Sequence, residues 1–354
     1  SMLVRVQVGV VGEKLERELN RRGFTLGHFP ASMYGATVGG FVACRSAGQA
    51  STRYGKIEDI LTCLQAVLPD GVVINTKTVP RKATGPDINS LLLGSEGALA
   101  IVTEVSLKIR HLPESRLFLS YTFDSVSAGL YAIREFMQEG IKPAIVRLYD
   151  ETDTALSMTA LGYEDVSGCL LIVVCEGRER FVGVEAEIVR RACKNAGGRD
   201  RGERPAEHWF EHRYAISYNQ SPILSSEHMI LDTIEVACLW KDVVSLYEAM
   251  RKAIEPYGTV MAHFSHAYPE GISIYFTIIA NADDEIAAYD GIWKAAMTAC
   301  LRHGGVISHH HGIGRLKAPW LKAELGEGYK LLCALKKQLD PNNILNPGVL
   351  GLGE

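Results

Sequence analysis

The stretch Thr259-Val-Met-Ala-His-Phe-Ser-His-Ala-Tyr-Pro-Glu-Gly-Ile-Ser-Ile-Tyr-Phe-Thr-Ile-Ile279 decides the fold. It reads as two strands, Thr259 to Phe264 and Ile272 to Ile279, around the turn Pro269-Glu-Gly271. Working outward, a strand at Met229 to Val236 and a helix from Lys241 to Glu255 come before it, and a helix from Asp283 to Arg302 follows. The same plan appears upstream. Leu117 to Phe123 is a strand, Ser125 caps a helix through Met137 that Gly140 ends, and Ala144 to Leu148 returns as a strand. Cys169 to Cys175 is the next strand, with a helix to about Asn195 stopped by Gly197-Gly198. Paired strands with intervening helices of roughly 12 to 20 residues predict an α+β chain of ferredoxin-like units, with helices on one face of a mainly antiparallel sheet.

The N-terminal part reads differently. Val4, Val6, Val8 and Val10 alternate with Arg5, Gln7 and Gly9, the pattern of a half-buried strand that begins almost at the first residue. Leu15 and Leu19 share a helix face that stops at Gly23. Small residues then crowd Pro30 to Gly40, Arg45-Ser-Ala-Gly48 and Arg53 to Asp59. Such density either lets a flat ligand or its phosphates approach the backbone, or makes a set of tight turns. Asp70-Gly71 sits between two apolar runs as a hairpin turn. Pro113 marks a boundary, and the chain closes with two short helices, about Ala318 to Glu324 and Gly328 to Gln338.

With 354 residues, 47% hydrophobic and 22% charged, the chain is long enough for two or three globular domains. A formal net charge of -4, with dispersed lysines and arginines, argues against a nucleic-acid partner. The eight cysteines form no Cys-x-x-Cys pair, and most lie in apolar runs, as buried reduced thiols do. No segment approaches the ~18 apolar residues of a membrane span, and a cytoplasmic protein is expected.

Ser308-His309-His310-His311-Gly312-Ile313-Gly314-Arg315 carries the chemistry. Three adjacent imidazoles on a glycine-rich loop suggest proton transfer or metal binding. In an extended segment His309 and His311 would share one side and His310 would face the other. His263 and His266 together with this run make a metal site the rival reading. His208-Trp-Phe-Glu-His212 has an inverted zinc-protease spacing, but no third ligand with supporting spacing follows, so it reads as a partly exposed aromatic helix. Gly312-Ile-Gly314 lacks the third glycine of a dinucleotide fingerprint.

Ala36-Thr-Val-Gly-Gly40, Tyr54-Gly-Lys-Ile-Glu-Asp59, Thr84-Gly-Pro-Asp-Ile88, Gly94-Ser-Glu-Gly97, Pro143-Ala-Ile-Val-Arg-Leu148, Gly271-Ile-Ser-Ile-Tyr-Phe276, Ser308 to Gly314 and Asp340-Pro-Asn-Asn343 occur in this order. Through them the chain resembles the FAD-linked oxidases of the vanillyl-alcohol-oxidase type, and within these the alkylglycerone-phosphate synthase branch. The resemblance implies a partial FAD-binding domain over residues 3–112, a ferredoxin-like cap over 113–303, and a helical segment, 304–354, that returns to the flavin domain. It implies FAD, a lipid-like small-molecule substrate, and exchange of the acyl chain of acyl-dihydroxyacetone phosphate for an alkyl chain through a flavin N5 adduct. The alternative is an FAD-linked dehydrogenase or oxidase of a 2-hydroxy acid. Peripheral membrane contact and a homodimer fit the same resemblance.

The residue roles that follow are implied by the resemblance. Tyr275, His309, His310 and His311 are the catalytic set, beside the isoalloxazine. Arg147 and Arg315 bind substrate, Arg147 as an anchor for phosphate or carboxylate. Ser32, Thr37, Val38, Gly39, Gly40, Ser46, Gly48, Tyr54, Gly55, Glu96, Gly97, Ile101 and Val102 bind the cofactor. Two departures qualify this. The family's pyrophosphate-cradling glycine-rich segment has no counterpart from Val4 onward, so weak or absent FAD binding is expected. Ile274 and Tyr275 stand where the hydroxy-acid branch carries a second metal histidine, so no bound metal is expected.

Overall fold

The computed structural model describes residues 1–159, 167–214 and 227–353. It divides into two compact units, residues 1–112 with 310–354, and residues 113–309.

In the first unit the strands are β1 (Leu3–Gln7), β2 (Phe24–Thr25), β3 (Leu61–Val67), β4 (Val73–Asn75), β5 (Ile101–Lys108) and β6 (Arg110–His111). The main sheet has the order β1-β5-β3-β4, antiparallel throughout, and β2 pairs with β6. Valines at every second position of β1 place Val4 and Val6 on the core side, while Arg5 and Gln7 stay exposed. Leu15 and Leu19, one helical turn apart on Gly12–Arg21, meet Phe41, Ile57, Ile60, Leu64 and Leu107 in the core. Gly12 permits this, since a Cβ there would lie 2.5 Å from the Phe41 ring. The returning C-terminal segment is fastened by buried Lys336. Its ammonium donates to the Ala98 carbonyl (3.1 Å), the Leu345 carbonyl (2.6 Å) and Asp340 Oδ2 (2.5 Å).

The second unit holds β7 (Ser115–Phe123), β8 (Ile145–Tyr149), β9 (Cys169–Gly177), β10 (Arg199–Asp200), β11 (Met229–Leu239), β12 (Gly258–Ser265) and β13 (Gly271–Asn281). They form one sheet in the order β10-β7-β9-β8-β12-β13-β11, with every neighbouring pair antiparallel. The architecture is the α+β, mainly antiparallel one read from the sequence. Ile272, Ile274, Phe276 and Ile278 of β13 alternate onto one buried face with Val260, Ala262 and Phe264 of β12. The helix Val243–Ile254 covers that face, its Tyr247 ring lying 5.4 Å from Phe264 and 6.2 Å from Phe276. Burying each such large apolar side chain stabilises the unit by about 1.5–3 kcal/mol. Gly129 lets the helix Val126–Gln138 settle on β8, because a Cβ would meet Leu148 at 2.6 Å.

The stretch 304–309, read from sequence as part of the returning segment, pairs with the second unit instead, through a bridge between Val306 and Ala237. All eight cysteines are free thiols. Among the described residues no helix is long and apolar enough to cross a membrane.

Candidate active site

Because alternate residues of a strand share a face, the sheet surface opposite the helix-covered one is set by register. Tyr149 of β8, His263 of β12, Tyr275 of β13 and Glu235 of β11 form one cross-strand row. Arg147 and Ser265 form the adjoining row, paired across β8 and β12. The His263 and Tyr275 rings stack, with centroids 4.6 Å apart and planes 19° from parallel. Arg147 Nη2 lies 2.8 Å from His263 Nε2, and its guanidinium sits 5.0 Å from the Tyr149 ring and 5.5 Å from the Trp209 ring. His263 Nδ1 faces Asp153 Oδ2 at 3.4 Å. Burial, with the Arg147 charge added, pulls His263 down to about 4 against the pull of Asp153, so the ring is neutral at pH 7. Arg147 Nε and Ser265 Oγ are both buried and have no hydrogen-bond partner in the protein. No carboxylate among the described residues lies within ion-pair distance of Arg147.

Tyr275, expected to be catalytic, has its hydroxyl 2.9 Å from His266 Nε2. Burial, reinforced by the Glu235 charge, pushes this phenol well above its ordinary value, so it keeps its proton at neutral pH. His266 takes a left-handed φ of 53°, a conformation a non-glycine residue adopts only where its surroundings hold it. His309 has its Nε2 3.0 Å from the Tyr268 hydroxyl. Its backbone N–H donates to Glu235 Oε1 at 2.6 Å, and the Ser308 hydroxyl donates to Glu235 Oε2 at 3.3 Å. Tyr268, Glu235 and a non-metal use of His266 were not singled out in the sequence. The signal for Glu235 was a lone acid inside the apolar strand Ile234-Glu-Val236, which only a set of buried donors accommodates.

The run His309 to His311 does not alternate as an extended strand would. It bends at each residue, His309 belongs to the second unit, and His310 and His311 belong to the first. The His310 and His311 rings meet edge to face at 4.7 Å. The loop behind them is pinned by Glu96, whose carboxylate accepts the N–H groups of Ile313 (2.6 Å) and Gly314 (2.8 Å). Gly312 makes room, because a Cβ would fall 2.6 Å from Glu96 Oε1. Arg315 donates to the Pro347 carbonyl at 2.7 Å and lies against Gly348.

The expected cofactor residues all fall in the first unit. Ser32 and Gly40 are exposed; Thr37 caps the helix Val38–Ala43 by accepting the Gly40 N–H, and Gly39 rests on Val8. Ser46 Oγ is 2.8 Å from Nε2 of His28, a histidine the sequence reading passed over. His28 Nδ1 is buried without a partner, and burial, then the nearby His310 and Lys56 charges, pulls the ring down to about 3. Gly48 lets its backbone approach Phe29, since a Cβ would come within 2.3 Å of the Phe29 nitrogen. Tyr54 packs behind Gly27, and Gly55 and Gly97 take positive φ. Ile101 is exposed and Val102 half-buried, both on β5.

On the helix Arg204–His212, which buries Pro205, Ala206 and Trp209, the His208 and His212 rings stack at 4.1 Å and Glu211 pairs with Arg204 at 3.7 Å.

The first unit thus carries a small-residue surface with a buried imidazole whose Nδ1 has no partner in the protein, and the second, separately, a sheet face bearing phenols, imidazoles and a guanidinium. The sequence matches FAD linked oxidases, C-terminal domain, over residues 112–350 and FAD binding domain over residues 1–77. The chain belongs to the FAD-linked oxidase family. It is 37% identical to the FAD-linked oxidoreductase YgcU of Escherichia coli K12 over 376 residues, 99% of this chain and 75% of that protein. It is 32% identical to the alkyldihydroxyacetonephosphate synthase of Trypanosoma brucei brucei over 379 residues, 97% of this chain and 61% of that one. A solved alkyldihydroxyacetonephosphate synthase structure superposes with a TM-score of 0.79 at 25% identity, over 98% of this chain and 64% of that one. FAD is the cofactor these domains imply. In the first unit the one observation compatible with such a group is His28 Nδ1, a buried ring nitrogen with no hydrogen-bond partner in the protein.

Proposed function

We propose that the chain catalyses the alkylglycerone-phosphate-synthase type of exchange, replacing the acyloxy group of acyl-dihydroxyacetone phosphate by the alkoxy group of a fatty alcohol and releasing the fatty acid, in ether-lipid synthesis. The observation that carries this reading is Arg147, a half-buried guanidinium with one N–H unused and no carboxylate beside it, which suits the phosphate of such a substrate. FAD, when bound, would supply an electron sink for the substrate carbonyl. The chain's own residues handle protons: Tyr275, kept protonated by burial, is an acid facing His266, and His309 exchanges a proton with Tyr268. The 32% identity to a synthase supports the same reading.

The test is to reconstitute the chain with FAD and supply palmitoyl-dihydroxyacetone phosphate with labelled hexadecanol. Label in an ether product without bleaching of the flavin is the expected result. Bleaching by D-lactate or glycolate, with no ether formed, overturns the proposal in favour of the 2-hydroxy-acid reading.

A further inference from the structure

We infer that Ser265 is a further substrate-binding residue, donating alongside Arg147 to one anionic group, and that His263 and Asp153 are positioning residues that aim the guanidinium at it. The inference rests on Arg147 being the anion anchor. Arg147 and Ser265 are register partners on β8 and β12, so their side chains leave the same face side by side. Arg147 Nε and Ser265 Oγ are both buried and both without a partner in the protein. Buried polar atoms are nearly always hydrogen-bonded, and two orphan donors on paired positions of neighbouring strands suit an acceptor with two oxygens. A phosphate or carboxylate has that chemistry.

The orientation of Arg147 follows from what a guanidinium is able to do. It donates and never accepts, so the nitrogen it faces at 2.8 Å, His263 Nε2, is the lone-pair nitrogen of a neutral ring. The ring proton is then on Nδ1, the nitrogen that faces Asp153 Oδ2 at 3.4 Å. The imidazole is held flat against Tyr275. Asp153 is set in turn by Asp150, which accepts the Asp153 N–H at 2.9 Å. Asp150 is itself fixed by Arg251 (2.6 Å), the Tyr247 hydroxyl (3.1 Å) and the Ala262 N–H (3.0 Å). Because the contact with Arg147 is to a neutral ring, it orients the cation without cancelling its charge, which stays available to a ligand.

Two measurements on the full chain test this. A long-range nitrogen–proton spectrum at pH 7 is expected to show His263 as the neutral Nδ1–H tautomer; an Nε2–H tautomer or an imidazolium overturns the positioning role. Calorimetric titration with dihydroxyacetone phosphate is expected to weaken by roughly tenfold in Ser265→Ala and in His263→Phe, the size of one lost hydrogen bond to a charged group. His263→Gln, whose carbonyl restores an acceptor, is expected to recover most of the loss. Wild-type affinity in both Ser265→Ala and His263→Phe overturns the inference. If wild type and Arg147→Ala take up dihydroxyacetone phosphate equally, the anchor reading itself fails, an outcome distinct from selective loss in Ser265→Ala or His263→Phe.

Discussion

Replacing Glu96 by alanine removes the carboxylate that holds the loop after the triple histidine. Two N–H groups, of Ile313 at 2.6 Å and Gly314 at 2.8 Å, lose a charged acceptor. Each such bond contributes about 1.5–3 kcal/mol, and the residue is only half-buried, so water refilling the site reduces the sum to roughly 2–4 kcal/mol. Glu96 has a φ of 50°, and alanine meets the same backbone strain there, so that cost cancels. Opening of the 312–314 loop is then favoured by roughly 30- to 700-fold. Hydrogen exchange at the Ile313 and Gly314 amides reads this directly, and their protection is expected to fall by that factor. Glu96→Gln is expected to lose less, because its amide oxygen still accepts. Protection at both amides within threefold of wild type in the alanine variant would refute the claim that Glu96 sets the loop carrying His310 and His311.

Lys336→Met leaves the Asp340 carboxylate buried without its cation and two carbonyls without a donor, so the first unit is expected to lose about 3–5 kcal/mol, seen as a lowered thermal midpoint. Asp340 is opposed by burial, but the Lys336 ammonium and the Leu345 and Ile344 amides hold it below the usual carboxylate range. Its stabilisation is therefore present above the unfolded value and lost as pH falls through the folded one, which an acid titration of the same unit follows. His263 runs the other way from a paired histidine: the unfolded ring takes a proton at about 6.5 while the folded ring resists until about 4. The second unit is therefore expected to lose stability progressively as pH falls from 6.5 to 4, and melting His263→Phe across that window is expected to show a shallower slope. Tyr275→Phe removes the hydroxyl facing His266 and is expected to slow the proposed exchange reaction by about 10²–10⁴ while leaving dihydroxyacetone phosphate affinity near wild type, checked by separate rate and binding measurements.

Periodicity is a local property, and it made much of this protein legible in advance. The every-second-residue pattern of Ile272 to Ile278 marked β13, Ser125 marked a helix start, and Asp70-Gly71 marked the β3–β4 hairpin, since each depends on backbone preferences within a few residues. The strands β11 and β13 nonetheless run on to Leu239 and Asn281, past their strongest sequence signal, because eleven paired positions support one another across the ladder. The histidine run could be found from composition alone, but not its division: His309 is drawn to Glu235 and Tyr268, while His310 and His311 sit on a loop held by Glu96.

The sequence by itself determined the element types and the α+β, mainly antiparallel class, because side-chain pattern and composition act over short range. Only the tertiary structure decided which side chains meet. Asp153, His263 and Arg147 are joined across as many as 116 positions of chain, and Arg147 becomes Ser265's neighbour only through the register of β8 on β12. Register is fixed by the collective burial of the opposite, apolar face. For that reason His263, which the sequence offered as one of several possible metal ligands, faces Arg147 through Nε2 and Asp153 through Nδ1.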